Sequence, residues 1–157
     1  MRLTALILLA VLWCSNAWAS DIAVKTVAME ASNQGEQGMY LVASVIVNRA
    51  RAMTDDCLDC IGAGMSYEKS LEYSIEWVCK APKQFSCWNS PKWAKAWLDK
   101  HYGAKTREKA LSALNKALVE PAKGIDHYHT TAVKPYWAKG KTPTVKWGDH
   151  VFYDLEG

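Results

Sequence analysis

The sequence predicts a mainly helical α+β domain with a small C-terminal β or loop lobe. Three observations predict it. Apolar residues recur at helical spacing through most of the chain as far as Pro121. β-prone residues gather only after Gly124. Half of the 157 residues are hydrophobic and 22% are charged, which suits a packed core and excludes a disordered chain.

The first 19 residues read as a targeting segment. Arg2 precedes an apolar run from Leu3 to Trp13 that only Thr4 interrupts, and Ala17-Trp18-Ala19 follows as a small-x-small site. A membrane span needs ~20 apolar residues, and this run is shorter. Residues 1–19 are therefore expected to be a secretory signal cut after Ala19, with an uncleaved tether as the alternative. Residues 20–157 are expected to form one monomeric domain without a stable membrane span, periplasmic or extracellular.

Within that domain Ser20 or Asp21 caps a first helix that runs to about Ala31. Ser32-Asn33-Gln34-Gly35 stops it. A second helix follows Gly38, with Met39, Val42, Ala43, Ile46, Val47 and Ala50 as a buried stripe and Tyr40, Ser44, Asn48 and Arg51 on other faces. A loop spans Thr54 to Gly64. Ser66 caps a third helix with Tyr67, Leu71, Ile75 and Val78 on one face. A second loop covers Ala81 to Asn89. Ser90-Pro91 opens a fourth helix, which Gly103 ends. Thr106 caps a fifth, with Ala110, Leu111, Leu114, Ala117 and Leu118 inward and Pro121 as its stop. Tyr128, Thr130-Thr131, Thr144-Val145 and Val151-Phe152-Tyr153 are the β-prone stretches, and Gly148-Asp149 suits a hairpin turn. Two unequal lobes imply a cleft between them.

Composition narrows the function. A net charge of +3 is too weak to argue for nucleic acid. Eight Trp and seven Tyr against two Phe favour flat amphipathic faces for a wet ligand. Without residues 1–19 the cysteines are Cys57, Cys60, Cys79 and Cys87, an even set that outside the cytoplasm reads as two disulfides of open pairing. The spacing of Cys79 and Cys87 is too wide for the second knuckle of a zinc ribbon.

Three constellations could carry chemistry. Glu30 falls in the last turn of the first helix between Met29 and Ala31. The negative end of the helix dipole and partial removal from water both favour a protonated carboxyl there, as a general acid for glycosidic cleavage requires. Glu36 sits in the polar loop and reads as solvated. Gln84-Phe85-Ser86-Cys87-Trp88-Asn89 packs amide, hydroxyl and aromatic groups into one loop, which suits sugar hydroxyls and ring faces. Trp93 and Trp97, four apart, read as core packing. His127 and His129 share one side of a strand and could pair on zinc, with His150 or His101 as a third ligand, in a peptidase or amidase. A secreted module that binds glycan without cleaving it is the non-enzymatic alternative.

Together these stretches resemble the SleB-type cell wall hydrolases. Met29-Glu30-Ala31-Ser32-Asn33-Gln34-Gly35-Glu36-Gln37-Gly38-Met39, continued by the apolar helix into Asn48-Arg49, carries the first block. Gln84-Phe85-Ser86-Cys87-Trp88 is similar to a second block. Tyr128-His129, Pro135-x-Trp137 and His150-x-Phe152-Tyr153 are similar to a third. The resemblance implies a lysozyme-like or lytic-transglycosylase-like fold with a cleft for peptidoglycan glycan strands. It implies Glu30 as the catalytic acid and no cofactor. Gln84, Ser86, Trp88, Tyr128, His129, Trp137 and Tyr153 are the expected substrate-binding residues. One departure stands out: many members carry a second acid where this chain has Gln34. With one convincing acid, the expected reaction is that of a lytic transglycosylase, since hydrolysis commonly needs two carboxyls. A hydrolytic muramidase is the close alternative.

Overall fold

The computed structural model describes residues 20–56, 64–82 and 84–156. The expected signal segment, Cys57 and Cys60 lie outside the described residues. None of the described helices is long and apolar enough to cross a membrane.

Five α-helices precede a three-stranded sheet among the described residues. They are α1 (Asp21–Ala31), α2 (Gly35–Asp56), α3 (Tyr67–Lys80), α4 (Pro91–His101) and α5 (Ala104–Val119). The strands are β1 (His127–Thr130), β2 (Val145–Trp147) and β3 (His150–Tyr153). The mainly helical α+β class read from the sequence is the observed one.

Helix α2 is the axis of the molecule. Met39, Leu41, Val42, Ala43, Val45, Ile46, Val47 and Ala50 are all buried, and α1, α3 and α5 pack around it. A helix apolar on most sides must be enclosed. It starts at Gly35, four residues before the expected Met39, and it runs past Thr54 to Asp56. Thr54 belongs to the core because its hydroxyl donates to Ser74 Oγ of α3 at 2.8 Å. That contact also explains why Ser70, Ser74, Ile75, Val78 and Cys79 form the buried face of α3, while Tyr67 is exposed. Ser66 and Ser90 cap α3 and α4 as their sequences suggest, each hydroxyl accepting from the backbone N–H three residues on. Helix α5 starts at Ala104 with Gly103 before it, and Thr106 is not its cap.

The polar side chains of α2 have a separate task. Asn48 Nδ2 donates to the carbonyls of Ala122 and Ile125 at 2.8 and 2.7 Å. Ser44 Oγ accepts from Ala122 N–H, Tyr40 donates to Glu120 O and Arg51 to Leu118 O. This stripe satisfies the carbonyls of the connection from α5 to β1. It therefore sets where β1 begins.

The sheet is antiparallel in the order β1-β3-β2. Strand β3 is central and all four of its residues are buried. The Gly148-Asp149 pair closes the β2–β3 hairpin, with Gly148 at φ +53°.

Candidate active site

Three separate elements meet at Glu30. The carboxyl ends α1, where Thr26 lies one turn earlier on the same face. A short helical turn at Ser86–Trp88 packs against that face. Phe85 and Cys87 are buried and anchor the turn, and the Trp88 indole donates to Thr26 Oγ1 at 2.9 Å. With the turn so held, Cys87 N–H points at Glu30 Oε1 at 2.7 Å, and Ser86 Oγ donates to the same oxygen at 3.2 Å. From β1, Tyr128 OH donates to Glu30 Oε2 at 2.8 Å.

The Tyr128 ring is clamped by Phe85, His150 and Phe152, with ring centroids 6.2, 4.9 and 5.5 Å away. Burial and the Glu30 carboxylate push its hydroxyl well above the ordinary tyrosine range. It stays a neutral O–H that can donate to a carboxylate or accept from an acid. Burial, and then the nearby Glu30 charge, push the Cys87 thiol up as well. It is an inert neighbour, not a nucleophile.

Glu30 opens into a groove of about 670 Å³ between the helical body and the sheet. Ser32, Asn33, Gln34 and Ser86 line it with polar groups, Trp93 and Trp97 line one wall, and Thr130, Thr131, Asp149 and His150 line the other. A volume of this size is ordinary for a ligand cleft.

A family model described as Cell Wall Hydrolase matches residues 33–153. The chain belongs to the cell wall hydrolase family. No curated protein and no solved structure matches it significantly. The matched span begins just after Glu30, so the case for that residue in this cell wall hydrolase rests on the geometry around it.

The expected binding residues distribute over three neighbouring surfaces. Ser86 and Tyr128 touch Glu30 directly. Gln84 and Trp137 line a second cavity that shares Tyr128 with the first cluster. His129 and Tyr153 lie along a third, beside Pro135 and Tyr136. They stack on each other with centroids 5.4 Å apart, and His129 Nε2 is 3.1 Å from the Tyr153 hydroxyl. Trp88 supports the Ser86–Trp88 turn and packs on the core. Trp93, read as core, is 47% exposed and faces the groove; Trp97 is half-buried beside it. A four-residue spacing says that two rings share a helix face but not which face is buried, and only Ala94 of α4 is buried. Glu36 pairs with Lys109 at 3.1 Å on the surface.

Two other expectations meet the structure. Cys79 and Cys87 are buried free thiols, where disulfides were expected. Burial lifts Cys79 to about 12, and both pack into the core as small apolar side chains. For the zinc reading, the described residues offer one group of potential ligands, Asp126, His127 and Glu156, and it includes neither His129 nor His150. Asp126 is already occupied by His127 Nδ1 and by the N–H groups of Leu155 and Glu156. Burial alone would raise the Asp126 carboxyl, but those donors outweigh it and hold it below the usual range.

Gln34 is the residue whose role the sequence hid. Its Oε1 accepts from Asp149 N–H at 2.9 Å, its Nε2 donates to Asp149 Oδ2 at 3.3 Å, and its carbonyl accepts from the Trp147 indole at 3.0 Å. It fastens the β2–β3 hairpin to the loop after Glu30. An acid here would face Asp149, which explains the amide. Gln34→Glu is expected to lower stability by about 1 kcal/mol, the order of one lost hydrogen bond at an exposed site. Adding Asp149→Asn should restore it, because Asn can donate to the new carboxylate. Thermal melts of the two single variants and the double variant check this coupling.

His150 predicts a pH effect. It is 3% exposed, and its Nδ1 has no hydrogen-bond partner among the described residues. Burial pulls it below the ordinary histidine value of 6.5, against the opposing charges of Glu30 and Asp149. The unfolded chain therefore binds a proton that the folded chain refuses as pH falls from about 6.5. Folding stability should be fully present above that pH and decline below it. Melting temperatures between pH 5 and 7 should show the decline, and His150→Phe should flatten it.

Proposed function

We propose that this cell wall hydrolase cleaves the bond between N-acetylmuramic acid and N-acetylglucosamine as a lytic transglycosylase. The observation that carries the reading is the convergence of Cys87 N–H, Ser86 Oγ and Tyr128 OH on a glutamate that lines the groove. Cys87 N–H can only donate, so Oε1 is kept as an acceptor. Proton exchange then takes place at Oε2, whose partner Tyr128 can serve either form of the carboxyl.

In this reading Glu30 gives its proton to the glycosidic oxygen as the bond to the muramic C1 breaks. The carboxylate then takes the proton of the muramic C6 hydroxyl, and O6 closes on C1 as a 1,6-anhydro ring. Glu30 ends the cycle protonated, and no water is consumed. Trp93 and Trp97 offer ring faces for sugars, and the Ser32–Gln34 turn offers amide and hydroxyl partners. Asp149 is the other carboxylate on the groove wall, but it is engaged by Gln34 and serves the hairpin. The apolar segment ending in Ala17-Trp18-Ala19 supplies export to the wall.

Digestion of purified sacculi tests the reading. Soluble disaccharide-peptides with intact stems are expected, and Asp149→Asn should retain activity within about threefold. Cut stems would replace the reading with a peptidase or amidase, and binding without release would replace it with a glycan-binding module. Loss of activity in a folded Asp149→Asn variant would point to a two-carboxyl hydrolase instead.

A further inference from the structure

A second cavity, of about 360 Å³, is lined by Val45, Arg49, Gln84, Phe85, His127, Trp137 and Tyr128, whose hydroxyl reaches Glu30 of the groove. The segment from Gln84 to Cys87 borders both spaces, Gln84 and Phe85 on this side and Ser86 and Cys87 on the other. A chain lying in the Glu30 groove can therefore send a branch past the Gln84–Cys87 segment.

Arg49 is the unusual residue of this cavity. It lies on α2, the enclosed helix, and its side chain is half-buried. Among the described residues its guanidinium makes no hydrogen bond and no ion pair within 4 Å. Asp126 and Glu156 act on it only at longer range, and both oxygens of Asp126 are filled by backbone N–H groups and His127. A guanidinium carries five N–H donors in a planar fork suited to a carboxylate, and no protein acceptor among the described residues competes for them. Gln84 adds an amide donor, and the Trp137 ring adds an apolar wall 5.4 Å from His127.

We propose that the Arg49 cavity binds a free carboxylate of the peptide stem while the muramic sugar occupies the Glu30 groove. This rests on the glycan-cleavage reading and adds a specificity site to it. The fork of Arg49 takes the carboxylate in two parallel hydrogen bonds, Gln84 donates to its outer side, and Trp137 covers the stem backbone. Binding there recognises a stem-bearing muramic acid and sets which sugar is presented to Glu30.

The test uses soluble uncross-linked glycan strands, with stem carboxylates either free or converted to primary amides. For the wild-type protein, KM should rise at least fivefold on amidation with little change in kcat. Arg49→Met should cleave both substrates with the KM of the amidated one, and Arg49→Lys should keep part of the preference. Equal KM for both substrates with wild-type protein overturns the proposal, as does an Arg49→Met variant that keeps the full preference. The wild-type comparison stands whether or not Arg49→Met folds. A wild-type protein that cuts neither substrate overturns the glycan-cleavage reading and this one together, whereas equal cutting of both overturns this one alone.

Discussion

Glu30→Gln is expected to lower glycan-strand cleavage by about 10²–10⁴-fold, the range that a positioned general acid contributes. The substitution keeps shape and most contacts. The amide oxygen can still accept from Cys87 N–H and Ser86 Oγ, as Oε1 does now. The amide nitrogen takes the place of Oε2 and can donate to the Tyr128 oxygen, since a tyrosine hydroxyl works in either direction. What disappears is the exchangeable carboxyl proton. The melting temperature should therefore stay near that of wild type while muropeptide release falls to background. A folded Glu30→Gln variant with normal release would remove Glu30 from the mechanism.

Tyr128→Phe should have the second largest effect, a loss of about 10–100-fold. That range follows from a hydrogen bond to a charged group, worth about 1.5–3 kcal/mol. The phenyl ring keeps the packing against Phe85, His150 and Phe152, so the sheet should fold as before. Only the 2.8 Å contact with Glu30 Oε2 is lost. Because Tyr128 holds the acid and not the departing sugar, the loss should appear in kcat with KM nearly unchanged. Equal kcat in the two proteins would make the hydroxyl incidental. A fall in stability of several kcal/mol would make its role structural.

Much of the fold was legible because local signals agreed with packing. The Ser32–Gly35 stretch marks the end of α1, and Ser66 and Ser90 cap α3 and α4, whereas Ser20 precedes α1 without capping it and donates to Glu76 instead. The hairpin was visible in Gly148-Asp149. The start of α2 was not, because Gly35 and Gly38 together read as a loop. Gly38 serves packing instead: a Cβ there would sit 2.3 Å from Gln34 Cβ and 3.4 Å from the Trp147 ring. No local rule distinguishes a glycine needed for close approach from one needed for a turn.

Of the cluster around Glu30, the sequence points to Glu30, Ser86 and Tyr128 but not to how they meet. Glu30 could be singled out by its place at a helix end. The contacts that define it come from residues 56 to 98 positions away, and such distances leave no periodic trace. Gln34 looked like a missing acid because its partner Asp149 is 115 residues downstream. In the sequence Arg49 reads only as the end of the first family block, with no role of its own. Its cavity exists only because β1 and the Gln84 segment close over it.

In the proposed reaction one carboxyl, that of Glu30, performs both proton transfers without water as the nucleophile. Digestion of sacculi in ¹⁸O-labelled water, followed by mass spectrometry of the released fragments, tests it most directly. The expected products carry 1,6-anhydro muramic ends, one water lighter than reducing ends and free of the label. Reducing ends that carry the label would contradict it.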